Sequence, residues 1–285
     1  MSIKEAFNIS KSVWSMSVKM ARKYPVILLP FFITAICNAL TLAVLYYFPR
    51  KPWSLFFASP IRNFKGEKFL HYPSNFLVLP ELFYYFQIFI MATVGIIMFG
   101  MAVNLIYQAN SGNVLPRPAG SFNKSVRRYL TLIGIWATLF VLSFIILKVP
   151  AIILVKFLGA KPITLILLRI FFYSGFILVI IIEALLVYAY PAAIIDKKKY
   201  FASLKNSFGL SKRVFIASLI LVAAPRLLEV GYIIARGYMI PFFVKHVPEL
   251  SVGVIAFGIV LVLFTDFFVI CAVTNLYILA KETEK

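Results

Sequence analysis

Long apolar blocks alternate along this chain with short polar connectors, and the block lengths set the first expectation. A bilayer core of about 30 Å takes roughly 20 mostly apolar residues in helical form. Six blocks qualify: residues 25–48, 82–107 with 76–80 leading in, 129–149, 162–190, 214–236 and 252–279. The stretch PAIILVKFLGAK, residues 150–161, is too short to span and reads as an interfacial or re-entrant piece. The expected fold class is all-α, a polytopic helical bundle whose six spans form three hairpins.

The connectors have a pattern of their own. In residues 197–212, Phe201, Leu204 and Phe208 fall at i, i+3 and i+7, one face of a 3.6-residue period, with lysines around the rest. That predicts a helix lying in the head-group layer with its apolar face down. The phrase Ser203-Leu204-Lys205-Asn206-Ser207-Phe208 resembles Ser121-Phe122-Asn123-Lys124-Ser125-Val126 and echoes Ala6-Phe7-Asn8-Ile9-Ser10. Each copy precedes an odd-numbered span. Around the first copy, Ile3, Phe7, Trp14, Val18 and Ala21 share a face on an ideal wheel, beside Lys4, Lys11 and Arg22. The chain therefore divides into an interfacial helix (1–24), a hairpin (25–107), an elbow helix with a second hairpin (108–190) and an elbow helix with a third (191–285), all in one membrane domain. Chance similarity among frequent residues is the competing account of the repeat.

Composition agrees with lipid as the main solvent. Of 285 residues 62% are hydrophobic and 14% charged, with a mean hydropathy of +0.94. A soluble domain has about 25% charged residues. The formal net charge of +19 would suggest nucleic acid in a soluble protein, but here the basic residues sit between apolar blocks. That placement points to anionic membrane lipids and to topology, with no nucleic-acid partner.

Seventeen lysines and arginines fall on the side of the N-terminal segment, the connectors after spans two and four, and the tail; nine fall on the other side. The positive-inside rule then puts both termini in the cytoplasm. Arg50, Lys51, Arg62, Lys65 and Lys68, after span one, run against that trend. Lys197, Lys198, Lys199, Lys205, Arg127 and Arg128 are the candidate lipid head-group contacts. Tyr46, Tyr47, Phe48, Trp53, Tyr84 and Tyr85 fall where an outer aromatic belt is expected. The N-terminal stretch has no signal-peptide core, so insertion through the chain's own helices is expected.

The order "span, Tyr-Pro-Ala-Ala-Ile-Ile-Asp, basic patch, Ala-Ser-Leu-Lys-Asn-Ser-Phe-Gly-Leu-Ser-Lys, span" resembles the membrane domain of some bacterial glycerophosphodiester phosphodiesterases and its stand-alone relatives. Pro191, Asp196 and Ser207-Phe208 carry the likeness. The resemblance implies a six-span domain with interfacial helices in a prokaryotic cytoplasmic membrane, and no established activity. No hydrophilic segment in this chain is long enough to hold the catalytic barrel, so hydrolysis is not carried over.

Catalytic patterns are sparse. His71 and His246 lie in outer loops without metal-ligand spacing, and Cys37 and Cys271 sit in apolar blocks as small hydrophobes. There is no HExxH, GxSxG or P-loop, and nothing in the sequence calls for a catalytic residue, a metal or a cofactor. The informative residues are charges within spans: Arg226 and Glu229 in span five, Asp266 in span six, Glu183 and Arg169 in span four. A charge at the bilayer centre costs about 2.5–3.5 kcal/mol on insertion scales, so such groups turn inward and pair. Arg226 is expected to face Asp266, with Glu229 one turn away. Two readings follow. One is an ion pair that fixes helix register in a non-enzymatic module, which binds anionic lipid, a protein partner or a second copy of itself, with an accessory subunit as one form of that reading. The other is a site for a solute or ion in a small transporter.

Overall fold

The computed structural model describes residues 3–112, 115–159 and 162–282. Among them the chain is helical throughout, with no strand, and six helical runs are long and apolar enough to cross a membrane. In hydrocarbon a backbone must satisfy its own polar groups, and continuous helices do that within one segment. The all-α bundle expected from the block pattern is the fold observed. Lys161 and Lys285, counted above for orientation, lie outside the described residues.

The helices are α1 (Ile3–Lys23), α2 (Leu29–Tyr46), α3 (Ser54–Phe64), α4 (Asn75–Ile90), α5 (Ile96–Asn110), α6 (Pro118–Arg127), α7 (Tyr129–Leu158), α8 (Pro162–Leu186), α9 (Ala189–Ile194), α10 (Tyr200–His246) and α11 (Leu250–Glu282). A π-helical turn, Met91–Gly95, joins α4 to α5 within the second span.

They form two compact units. The first takes residues 1–28, 96–226 and 268–285, and the second takes 29–95 and 227–267. The first unit's core is built from small and β-branched residues: Ala6 and Val13 of α1, Ala184 and Val187 of the fourth span, Ala217 of α10, and Ala272 and Val273 of α11. Short side chains let helix backbones approach closely, which is how helices adhere where lipid removes the hydrophobic drive between them. The second unit packs larger groups, with Leu42 and Leu45 of α2 and Phe76, Leu79 and Phe83 of α4 against Ile240, Val244, Ile255 and Ile259.

Two expectations change and one holds. Residues 150–158 form no separate interfacial piece, because α7 runs unbroken through Pro150 to Leu158. Proline costs one backbone hydrogen bond, and the apolar residues after it continue the same helix, which satisfies its remaining backbone groups internally. The boundary between the elbow helix and the fifth span falls where expected: within α10 the two helices meet at a kink at Val214, which takes the non-helical φ −117°, ψ 27°. The connector after span one carries a helix, α3, which the block pattern did not predict. Its basic residues are held in place: Arg62 forms a two-pronged pair with Glu67, and Lys65 pairs with Glu81 at 2.6 Å.

Candidate functional site

The three elbow helices are α1, α6 and the start of α10, and all lie in the first unit. Their repeated phrase has small residues at its first and fifth positions: Ala6 and Ser10, Ser121 and Ser125, Ser203 and Ser207. All six are fully buried. Residues four apart stack on one helix face, so each elbow turns a small-residue stripe toward its neighbours. The aromatic positions point the other way. Phe7, Phe122, Phe201 and Phe208 are exposed, Phe201 at 80%.

In α6, Ser121 accepts hydrogen bonds from Asn104 (2.7 Å) and Gln108 (3.0 Å) of α5. In α10, Ser207 and Ser211 donate to the Leu185 carbonyl of α8 at 2.9 and 2.8 Å. In α1, Ser17 accepts from Asn275 of α11 at 3.1 Å. The α6 and α10 elbows thus rest on the second helix of the preceding hairpin, while α1 meets α11 at Ser17 and α10 at Ser10, which donates to the Ala217 carbonyl at 3.5 Å.

The basic residues divide by position. Arg127 is exposed at the end of α6, and Arg128 is half-buried where α6 turns into α7. Lys197 and Lys199 are exposed, and Lys197 has φ 56°, the left-handed region that a side chain other than glycine seldom adopts. Lys198 and Lys205 line a cavity of about 510 Å³ with Arg213 and Lys281. At its wall Tyr277 donates to Asp196 at 2.7 Å, and Asn206 donates to the Tyr277 hydroxyl at 3.1 Å. Lys198 donates to Asn206 at 2.6 Å, and Lys281 pairs with Asp196. The network ties the loop after α9, the α10 elbow and the end of α11.

The intramembrane charges are also partnered. In the first unit Arg226 makes a two-pronged pair with Glu183, its Nε and Nη2 each within 3.0 Å of Oε1. Both side chains are about four-fifths buried, at 20% and 18% exposure. In the second unit Glu229 accepts a hydrogen bond from Thr265, and Asp266 is buried. Arg169 is exposed, in a shallow groove lined by Leu147, Phe172 and Tyr173.

Sequence reasoning singled out the phenylalanines of the repeated phrase and passed over the serines. The signal was present: small residues at i and i+4 in all three copies. It also missed Asn206, Arg213, Tyr277 and Lys281 as one constellation, because 68 residues separate Arg213 from Lys281.

Six long apolar helices define the class, a multi-pass membrane protein. Compared with known families, characterised proteins and solved structures, the chain matches none.

Proposed function

We propose that the protein is a non-enzymatic module of a prokaryotic cytoplasmic membrane, with both termini in the cytoplasm, that engages anionic lipid through its elbow helices. It is on this reading a stand-alone relative of the membrane domain named above. The arrangement of the elbows carries the proposal. Each is fixed to the bundle by buried small residues, which leaves its phenylalanines and lysines on the outer face. An aromatic body in the acyl boundary with an ammonium above it suits an anionic leaflet, and the cation–π contact of Lys212 with Phe208 at 4.7 Å joins the two groups on one surface.

The seventeen-to-nine bias in basic residues supports the cytoplasmic placement. A juxtamembrane lysine adds about 1 kcal/mol of attraction to an anionic surface. The test is the lipid that stays with the protein on purification. Replacing Lys197, Lys198 and Lys199 by Gln is expected to lower the share of anionic lipid retained. An unchanged share, or labelling of residue 197 from outside the cell, overturns the proposal.

A further inference from the structure

The cavity beside the α10 elbow differs from a merely basic surface. Its lining includes four cations, Lys198, Lys205, Arg213 and Lys281, and a single carboxylate, Asp196. Asp196 is only 11% exposed and already accepts from Tyr277 and Lys281, so it orients donors at the wall. Tyr277 is buried and held by Asn206, which in turn is held by Lys198. The donors are thus positioned before any ligand arrives, which reduces the ordering cost of binding. At about 510 Å³ the cavity has the size of small-molecule sites, roughly 300–1,000 Å³. Gly209 lies in its lining, and a Cβ there would meet nothing within 4 Å, so the space next to that helix turn is open.

A second cavity, beside α1 and the end of α5, is its positional counterpart. It offers Lys19, Lys23 and Asn110, without a carboxylate or an arginine. Of these two cavities, the one beside α10 couples several cations to a fixed polar wall.

We propose that this cavity is a phosphate-binding site, which takes the phosphate of a lipid head group or of a soluble phosphorylated compound. Lysine and arginine donors converge on a group with several acceptor oxygens, and the charge-assisted bonds are the strong ones. The proposal deepens the lipid-binding reading and rests on it. It adds that one head group is held by a built pocket and not by the diffuse charge of the connector.

The test uses the full chain in phosphatidylcholine nanodiscs, titrated with inorganic phosphate against chloride at equal ionic strength. Binding is read by calorimetry. Two variants disable the cavity: Lys205→Gln with Arg213→Gln, and Gly209→Leu, which fills the space with no change of charge. A third, Lys51→Gln with Lys68→Gln, removes two exposed charges from the connector after span one, which does not line the cavity. Saturable binding is expected in the wild type, weakened about tenfold or more in both cavity variants and within about twofold of wild type in the third. Phosphatidic acid added to the nanodisc separates the sources. Loss of the inorganic phosphate signal assigns the site to a lipid head group, and persistence assigns it to a soluble phosphate; either outcome upholds the site. Absence of saturable binding, or equal loss in the Lys205/Arg213 and Lys51/Lys68 pairs, overturns it. If anionic lipid is still retained on purification in that case, the broader lipid-binding reading stands and the pocket alone fails.

Discussion

Ser125 of α6 lies so close over Gly100 of α5 that a methyl group on the glycine would meet the Ser125 Oγ at 2.9 Å and its Cβ at 3.1 Å. Leu132 of α7 would be met at 2.8 Å. The three helices converge on a position where no side chain fits.

Gly100→Ala is therefore expected to push α6 off α5 and to destabilise the protein by about 1–3 kcal/mol, the usual cost of overpacking. Gly120 has open space around its Cα, and Gly120→Ala is expected to carry no such steric cost. Thermal unfolding in one detergent compares the two. Equal melting temperatures for both variants would refute the close contact.

The serine stripe makes a second, sharper contrast within one helix. Ser121 accepts from Asn104 and Gln108, so Ser121→Ala leaves two donors of α5 without that acceptor, at about 1–3 kcal/mol. Ser125 donates to the Ser121 carbonyl of its own helix, so Ser125→Ala is expected to change stability by only about 0.5 kcal/mol. Denaturant titration of the two variants checks the order.

Arg226 and Glu183 test whether the intramembrane charges serve as a register lock. Breaking a buried pair by removing one partner costs about 3–5 kcal/mol, and these side chains keep about a fifth of their exposure, so about 3 kcal/mol is expected for Arg226→Leu. Adding Glu183→Leu is expected to recover at least about 1 kcal/mol, since the double change leaves neither charge stranded. A double change as costly as the sum of the single ones would argue against the lock.

In the connector after span one, the hydrogen bond from Arg62 holds the Glu67 carboxyl below its ordinary value of 4.5. A carboxyl lowered in the folded protein contributes stability above its unfolded value and loses that contribution as the pH falls through the folded one. Both side chains are more than half exposed, so solvent screens the pair and the effect is local. A carbon-13 titration of Glu67 is expected to show a midpoint below 4.5 that rises in Arg62→Gln. An identical midpoint in the variant would show that Arg62 is not the cause.

The sequence by itself determined the class of structure and the number of crossings. Block length and hydrophobicity decide whether a helix can cross hydrocarbon, and both are local properties of the chain. The elbow helices were legible for the same reason, since the spacing of Phe201, Leu204 and Phe208 is a local period. Helix boundaries were legible in part: Val214 does mark a kink between the elbow helix and the fifth span, whereas Pro150 reads as a break and α7 continues past it.

Only the tertiary structure decided which partner each polar group takes. The sequence reading placed Glu183 among the intramembrane charges without a partner, and its pairing with Arg226 depends on how α8 and α10 are rotated against each other. The serines acquired meaning once α5, α8 and α11 supplied the groups they meet. The cation cavity has the same origin: Asp196, Arg213 and Lys281 are distant along the chain, and helix packing alone brings them to one wall.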